Sequence, residues 1–252
     1  MIPFYVTAEY LQSLTLISGV GNGTAGQRCA MQEVRAWLDL DAASDEVPAC
    51  VCPVIGKMII GLNDAAPATR VALLFRLPAI IGTRGRPALS RARAYLARDW
   101  LIRVYTPAWL DRVPSLVPHA AAIRALGEIV DRESAVMAGP VMRAARDAAR
   151  DAWDAIPSLR AASSAVPRSA SAAPAARDAA SAAASASTAT TAAARAAGAA
   201  ARDAAWDVAR AIAVAAAGDA ASRHTVETLQ ASALDLLDRM LACGEHRREE
   251  KE

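Results

Sequence analysis

The chain has 252 residues, few of them aromatic, with alanine dominating its second half and a formal net charge of only +2. No apolar run reaches the ~20 residues that a membrane-spanning helix needs, the first residues lack a secretion signal, and four cysteines do not make a secreted disulfide scaffold. Composition therefore argues against a membrane or secreted protein and predicts a cytoplasmic one.

The first half of the chain has the apolar spacing of helices, because few segments alternate polar and apolar residues as strands do. Pro53 suits a first helical position, since a proline there loses no hydrogen bond. We predict helices over 5–17, 27–38, 53–62, 69–81, 90–105 and 120–133, with an acidic loop at 39–52 and a turn at 82–87. Their inward faces should include Val54, Ile55, Met58, Ile59 and Leu62, then Leu96, Trp100, Leu101 and Val104, then Ile123, Leu126 and Val130.

The second half has low complexity, and the unit "AARD" recurs in it. Prolines and serines predict a linker at about 157–174, and an alanine-rich run over 175–218 predicts one or two helices. A 3-4 spacing predicts an amphipathic helix over 222–243, with a stripe of Val226, Leu229, Ala233, Leu236 and Met240. The predicted fold is all-α, with a compact helical domain over 1–135 and an Ala-rich helical hairpin or bundle over 136–252.

A glycine-rich loop between the first two predicted helices has the spacing G-x-G-x-x-G at Gly21, Gly23 and Gly26. A dinucleotide-binding loop follows a buried strand and belongs to a repeated β-α unit. Neither is predicted here, so we expect a turn at a helix junction and no cofactor. In a weaker alternative, the loop presents its N–H groups to an anion at the start of a helix.

Thiols and carboxylates near this loop are the candidates for catalysis. Cys29, Cys50 and Cys52 suggest a zinc site or a nucleophile, but their spacing is not that of a zinc finger and every histidine is remote in sequence. We therefore predict no metal and expect buried thiols. Three carboxylates suit acid–base chemistry or a hard cation, the alternative being helix capping. The candidate catalytic set is Cys29, Glu33, Asp45, Cys50 and Asp64.

Arginines are concentrated at residues 70–112, where nine arginines and only two aspartates give a net charge of +7. Aromatic residues lie between them, as in many nucleic-acid-binding proteins. The preferred interpretation is an amphipathic helix whose arginines pair with the acidic segment 1–69, which has a net charge of −4 from three basic and seven acidic residues. The candidate anion-binding residues are Arg84, Arg86, Arg91 and Arg98, interleaved with Tyr95, Trp100 and Tyr105.

Several short motifs resemble a group of proteins encoded by actinobacteria and their phages. The motifs read "RCAMQEV", "SDEVPACVCPVIGKMIIGLND", "IIGTRGRP" and "ARDWLIRVYTPAWLD", followed by an Ala-rich region and the ending "LQASALDLLDRML". The resemblance covers most of 20–135 and the final helix, and implies an origin but no activity. Cys52 departs from the pattern. The matching residues are Cys29, Glu33, Ser44, Asp45, Cys50, Pro53, Asn63, Asp64 and Arg84.

These observations together favour a non-enzymatic helical interaction or scaffold protein of phage or mobile-element origin, with a protein partner or self-association. Two alternatives stay open. One is a small enzyme or ligand-binding protein that uses the candidate thiols and carboxylates. The other is a nucleic-acid-binding module that uses the Arg-rich segment 84–103.

Overall fold

The computed structural model describes residues 6–65, 67–154 and 220–243. The predicted linker at 157–174 and the alanine-rich run at 175–218 lie outside these residues. Within the described ranges the regular elements are helices, and the strand-like contact is an isolated bridge between Leu16 and Arg28. The predicted all-α class is therefore confirmed.

The α-helices of the described residues are numbered in chain order. They are α1 (Ala8–Ser13), α2 (Ala30–Trp37), α3 (Pro53–Ala65), α4 (Pro67–Leu74), α5 (Leu77–Ile80), α6 (Pro87–Trp100), α7 (Thr106–Leu110), α8 (Val117–Arg124), α9 (Arg132–Asp154) and α10 (Ala220–Ala242). A π-helical turn, Leu101–Tyr105, joins α6 to α7, and a 3-10 turn, Pro114–Leu116, precedes α8.

The chain is divided into two compact units. The first consists of Met1–Arg93 and Gln230–Glu252, and the second of Ala94–Leu229. The domain division at residue 135 was based on composition and stays a prediction.

The core of the first unit forms around α3. Its predicted stripe is entirely buried, from Val54 to Leu62, and α2 and α4 pack against the helix. The stripe of α10 is confirmed at four of its five positions, since Leu229, Ala233, Leu236 and Met240 are buried, whereas Val226 is half-buried. Periodic apolar positions fixed the inward face in both helices, because burying that face is the main gain in stability that an amphipathic helix provides.

Two predicted helices of the first unit are shorter than expected. The helix predicted over 5–17 ends at Ser13, because the Ile17 N–H bonds to the Arg28 carbonyl oxygen at 3.0 Å instead of to the preceding helical turn. The helix predicted over 69–81 is divided into α4 and α5. Pro78 lies in the first turn of α5, and its ring nitrogen has no hydrogen to donate to the carbonyl of Leu74.

In the second unit, the π-helical turn corrects the register that we predicted for 90–105. The backbone N–H and the hydroxyl of Thr106 both bond to the carbonyl oxygen of Leu101, five residues back, the hydroxyl at 2.8 Å. Pro107 follows directly and cannot donate a backbone hydrogen bond. The wider turn rotates the following residues, so Val104 is exposed where an inward position was predicted.

The helix predicted over 120–133 is interrupted after Arg124. The carboxylate of Asp99 accepts the backbone N–H of Ile129 at 2.8 Å, which ties the connection between α8 and α9 to α6. Ile129 is therefore buried and Val130 is exposed, the reverse of the expected positions. The next helix, α9, buries a stripe of mostly small residues at 3-4 spacing, namely Ala135, Ala138, Met142, Ala145 and Ala149.

Candidate functional site

The glycine-rich loop is held by side chains of the chain itself. The Gly19 N–H donates to the carboxylate of Asp64 at 2.7 Å, and the Gly21 N–H donates to the Gln32 side-chain oxygen at 2.8 Å. The Gln32 amide also donates to the carbonyl oxygens of Gly21 and Ala43, at 3.0 and 3.2 Å. The N–H groups of Gly19 and Gly21 are thus occupied within the fold, whereas a phosphate-binding loop directs such groups at its ligand.

Close packing accounts for two of the three glycines of the motif. A Cβ atom at Gly21 would lie 1.8 Å from the carbonyl oxygen of Gln27. Gly23 has a φ of +83°, and a Cβ there would come within 2.8 Å of the Ala42 carbonyl oxygen. Gly26 would meet no atom within 4 Å, but its φ of +76° is in the left-handed region that favours glycine. The conformation and close packing of the backbone therefore account for the three glycines.

The amide of Asn63 joins three segments at this loop. Its oxygen accepts the Ala30 N–H at 3.0 Å, at the start of α2, and its nitrogen donates to the Ile17 carbonyl oxygen at 2.9 Å and to Asp64 at 3.0 Å. Asp64 therefore accepts from both Gly19 and Asn63. This candidate carboxylate acts as an acceptor that positions the loop.

Glu33 is buried in α2 and also has partners within the chain. Its carboxylate accepts the Tyr10 hydroxyl at 3.2 Å and forms an ion pair with Arg28 at 3.4 Å. Tyr10 is a residue of α1, so the carboxylate links α1, α2 and the end of the glycine-rich loop. These contacts explain why a charged residue lies in a helix face that is otherwise buried.

Cys29 is the buried N-cap residue of α2. Burial raises the pKa of its thiol, and the negative charges of Asp45 and Asp64 add to that increase, while the N–H groups of Gln32 and Met31 oppose it. A thiol with a raised pKa stays protonated at neutral pH and is a poor nucleophile. The structure thus brings Cys29, Asp45 and Asp64 to one region but does not activate the thiol.

Cys52 lies elsewhere, at the start of α3, in a cluster of polar groups. Its side chain is fully buried, and its sulfur lies 3.7 Å from the Ser90 hydroxyl. The Cys52 N–H donates to the hydroxyl of Thr83 at 3.0 Å. The guanidinium of Arg93 donates to the carbonyl oxygens of Thr83 and Met240, at 2.7 and 2.9 Å. We call Cys52, Thr83, Ser90, Arg93 and Met240 the Arg93 cluster.

The Arg93 cluster changes the acidity of the Cys52 thiol. Burial by itself would raise its pKa, but the N–H of Ile55, the Ser90 hydroxyl, the Arg93 guanidinium and the N–H of Val54 together lower the pKa below its ordinary value. Cys50, two residues earlier, is half-buried, and its carbonyl oxygen accepts the Arg84 N–H at 2.9 Å. The thiols therefore differ in environment, with Cys29 and Cys52 shifted in opposite directions.

A metal centre receives no support from the described residues. Within these residues, no group of three or more histidine, cysteine, aspartate or glutamate side chains is arranged to hold a metal ion. One of the three histidines, His246, lies outside the described residues.

The candidate anion-binding arginines divide by burial. Arg84, Arg86 and Arg91 are exposed, and their side chains make no hydrogen bond or ion pair within the described part of the chain. Arg98 is buried, as is Arg93. The aromatic residues between them are buried too: Trp100 lies 5.4 Å from Tyr105, measured between ring centroids. This burial removes the aromatic surface on which unpaired bases would stack.

The expected pairing with the acidic segment 1–69 does not hold for Arg76 and Arg103. Arg76 pairs with Asp238 of α10 at 2.7 Å, and Arg103 of the π-helical turn pairs with Asp99, four residues earlier in α6, at 2.6 Å. Both carboxylates lie outside residues 1–69. Local helical spacing and the position of α10 determined these pairs, and segment charge alone could not identify them.

Comparisons of the chain with protein-family models, with curated proteins and with solved structures found no match. The resemblance to an actinobacterial and phage group therefore stays a prediction. Within the described residues, no helix has the length and the apolar character needed to cross a membrane.

Proposed function

We propose that the chain is a non-enzymatic helical interaction or scaffold protein, cytoplasmic and of phage or mobile-element origin. The candidate groups for catalysis support this view by their contacts. Glu33 accepts a hydrogen bond from Tyr10, Asp64 accepts one from the glycine-rich loop, and burial raises the pKa of the Cys29 thiol. These contacts stabilise the fold. The feature that favours a partner is an apolar surface patch.

The observation that carries the proposal is the outward face of α4 together with Phe75, the residue that follows the helix. Ala68, Val71 and Phe75 follow 3-4 spacing and are exposed, Val71 to 60% and Phe75 to 50%. Single exposed apolar residues are common, but apolar neighbours on one helical face form a patch that favours protein contact. The exposed ring of Phe75 leaves apolar surface in contact with water, and a partner that buried this surface would gain free energy.

The test is a double substitution, Val71→Ser with Phe75→Ser, in the full chain. We expect the molar mass from light scattering to fall to that of the monomer, or a co-purifying protein to disappear, while the unfolding temperature stays unchanged. The matched control is Val20→Ser with Leu40→Ser, which changes two other exposed apolar residues of the first unit. A wild-type chain that is monomeric and partner-free at all concentrations would contradict the proposal, as would equal losses in both variants.

The exposed arginines favour a second candidate, weak binding to nucleic-acid phosphates. Arg84, Arg86 and Arg91 lie within eight residues and lack carboxylate partners in the described part. Because the neighbouring aromatic rings are buried, contact would be limited to the backbone and would lack sequence preference.

A salt titration tests this candidate. Three phosphate contacts predict a slope of log affinity against log salt of about −2.7 for duplex DNA. Changing all three arginines to glutamine should abolish the slope. The matched control changes the exposed residues Arg132, Arg143 and Arg150 to glutamine. Equal losses in the two variants, or a steeper slope with sequence preference, would count against the assignment.

A further inference from the structure

Three arginines around the start of α6 form an exposed basic segment. Arg84 and Arg86 precede the helix, and Arg91 lies in its second turn. Within the described ranges, no carboxylate forms an ion pair with any of them. Other arginines of the same stretch do have such partners, since Arg76 and Arg103 are paired with aspartates. The basic segment is therefore a place where the fold leaves positive charge uncompensated.

The connection between α2 and α3 is an acidic loop, with four acidic and no basic residues. Asp39, Asp41 and Glu46 are exposed, and no ion pair of the described residues involves them. The guanidinium of Arg35 donates to the backbone carbonyl oxygens of Asp41 and Glu46, at 2.7 and 3.0 Å. This arginine thus fixes the path of the loop through its backbone and forms no ion pair with its carboxylates.

The acidic loop and the basic segment are neighbours in the first unit. The Arg84 N–H donates to the carbonyl oxygen of Cys50 at 2.9 Å. A turn closed by the Val51 N–H and the Pro48 carbonyl oxygen, also at 2.9 Å, leads back toward Glu46. Glu46 is two residues from Pro48, a span of at most about 7 Å. Uncompensated charges of both signs therefore lie in adjacent segments.

We propose that these charges form one self-complementary surface, the charged face, through which two copies of the chain associate about a two-fold axis. In such an interface every contact occurs twice, so the acidic loop of each copy would lie against the basic segment of the other. The inference rests on the proposed function, because it names a second copy as the partner. The charged face consists of Asp39, Asp41, Glu46, Arg84, Arg86 and Arg91.

The balance of charge favours a second copy over a nucleic acid. The charged face has three positive and three negative side chains, whereas a duplex presents only negative phosphates. Carboxylates beside the arginines would repel those phosphates, but a copy of the same face satisfies both signs. Exposed ion pairs add little affinity each, and complementary charge mainly fixes orientation and association rate. We therefore expect a weak dimer that salt dissociates.

The decisive experiment reverses the charge of one half of the face at a time, in the full chain. The acidic variant is Arg84→Glu with Arg86→Glu, and the basic variant is Asp41→Arg with Glu46→Arg. Asp39 is left unchanged, because its φ of +54° suits aspartate better than a long side chain. Each variant alone should self-associate at least about tenfold more weakly than wild type, since like charges would face each other.

An equimolar mixture of the two variants restores opposite charges at both halves of the two-fold interface. Light scattering should then give twice the 26.2 kDa of one chain, as for wild type. The matched control is Arg143→Glu with Arg150→Glu, which reverses two exposed arginines of α9 and should dimerise like wild type. A mixture that stays monomeric would overturn the proposal. So would a monomeric mixture in which the acidic variant alone has lost affinity for duplex DNA, because the arginines would then bind phosphates.

A salt titration of wild type keeps the proposal testable if a reversed variant fails to fold. The dimer should dissociate between about 0.1 M and about 1 M salt, as the screening length falls from about 10 Å to about 3 Å. A dimer that is insensitive to salt, or a wild type that is monomeric throughout, would overturn the proposal.

The α4 variant, Val71→Ser with Phe75→Ser, separates this inference from the proposed function. Loss of association in the α4 variant, with both charge-reversed variants still dimeric alone, would support the apolar patch and overturn the charged face. Association of the two charge-reversed variants when both also carry the α4 substitutions would support the charged face without the patch.

Discussion

Leu236 of α10 offers a direct test of how the final helix stabilises the first unit. Its side chain is 1% exposed, in the centre of the confirmed stripe. Replacement by alanine removes three carbon atoms, worth about 2.4 kcal/mol at about 0.8 kcal/mol for each buried group. The cavity left behind adds to this cost, so we expect a total of about 3–4 kcal/mol. For a chain of this size, the unfolding temperature should fall by roughly 6–16 °C.

The matched control is Leu234→Ala, because Leu234 lies on the same helix but is only half-buried. Thermal unfolding followed by circular dichroism, together with molar mass from light scattering, should show a smaller decrease for Leu234→Ala. The register is refuted if Leu236→Ala leaves the midpoint unchanged while Leu234→Ala lowers it. A stable monomer that has lost its dimer in both variants would instead make α10 an oligomer interface.

Three further predictions concern the glycine-rich loop and the thiols. Gly21→Ala should lower the free energy of unfolding by more than about 2 kcal/mol in urea titrations, because the added Cβ atom would clash with a carbonyl oxygen. The control is Gly127→Ala, whose Cβ atom would meet no atom within 4 Å and which should leave the free energy of unfolding nearly unchanged. NAD, NADP and FAD should leave the thermal midpoint unchanged; a saturable rise that disappears in Gly23→Val would contradict this. Burial raises the pKa of Cys29. The stability that the neutral thiol contributes should therefore be lost as the pH rises above the pKa of a free thiol and through the pKa of Cys29 in the folded chain. Cys29→Ser should remove this part of the loss of stability at alkaline pH, and an unchanged loss would assign it to another group.

Helical periodicity predicted the parts of the fold that depend on one apolar face. The stripes of α3 and α10 contain large side chains at regular spacing, so burial left one orientation for each helix. The predicted ends of α1 and the register near Val104 were wrong for a different reason. They depend on backbone bonds such as that between Ile17 and Arg28, and on the π-helical turn before Pro107. Neither has a periodic signal.

For the candidate sites too, the sequence identified individual residues but did not identify their partners in distant segments. Sequence identified Cys29, Glu33 and Asp64 as unusual, but it could not show that their partners come from other segments. It also missed Gln32, whose bond to the Cys29 N–H at 3.0 Å is a capping-box contact. The spacing of a helix N-cap followed three residues later by glutamine was the available signal. Burial separated Arg93 and Arg98 from the exposed arginines, and composition cannot make that distinction.

The first unit is discontinuous in sequence, and this has a consequence for synthesis on the ribosome. The part of α10 from Gln230 to Ala242 belongs to this unit, and the whole of Ala94–Leu229 is translated between it and the rest of the unit. Until α10 emerges, the nascent N-terminal segment lacks the carbonyl partner of Arg93 and the carboxylate partner of Arg76. Because domains generally fold in the order in which they are synthesised, the second unit has the opportunity to fold first. The N-terminal segment, although it is made first, would then be the last to complete its contacts.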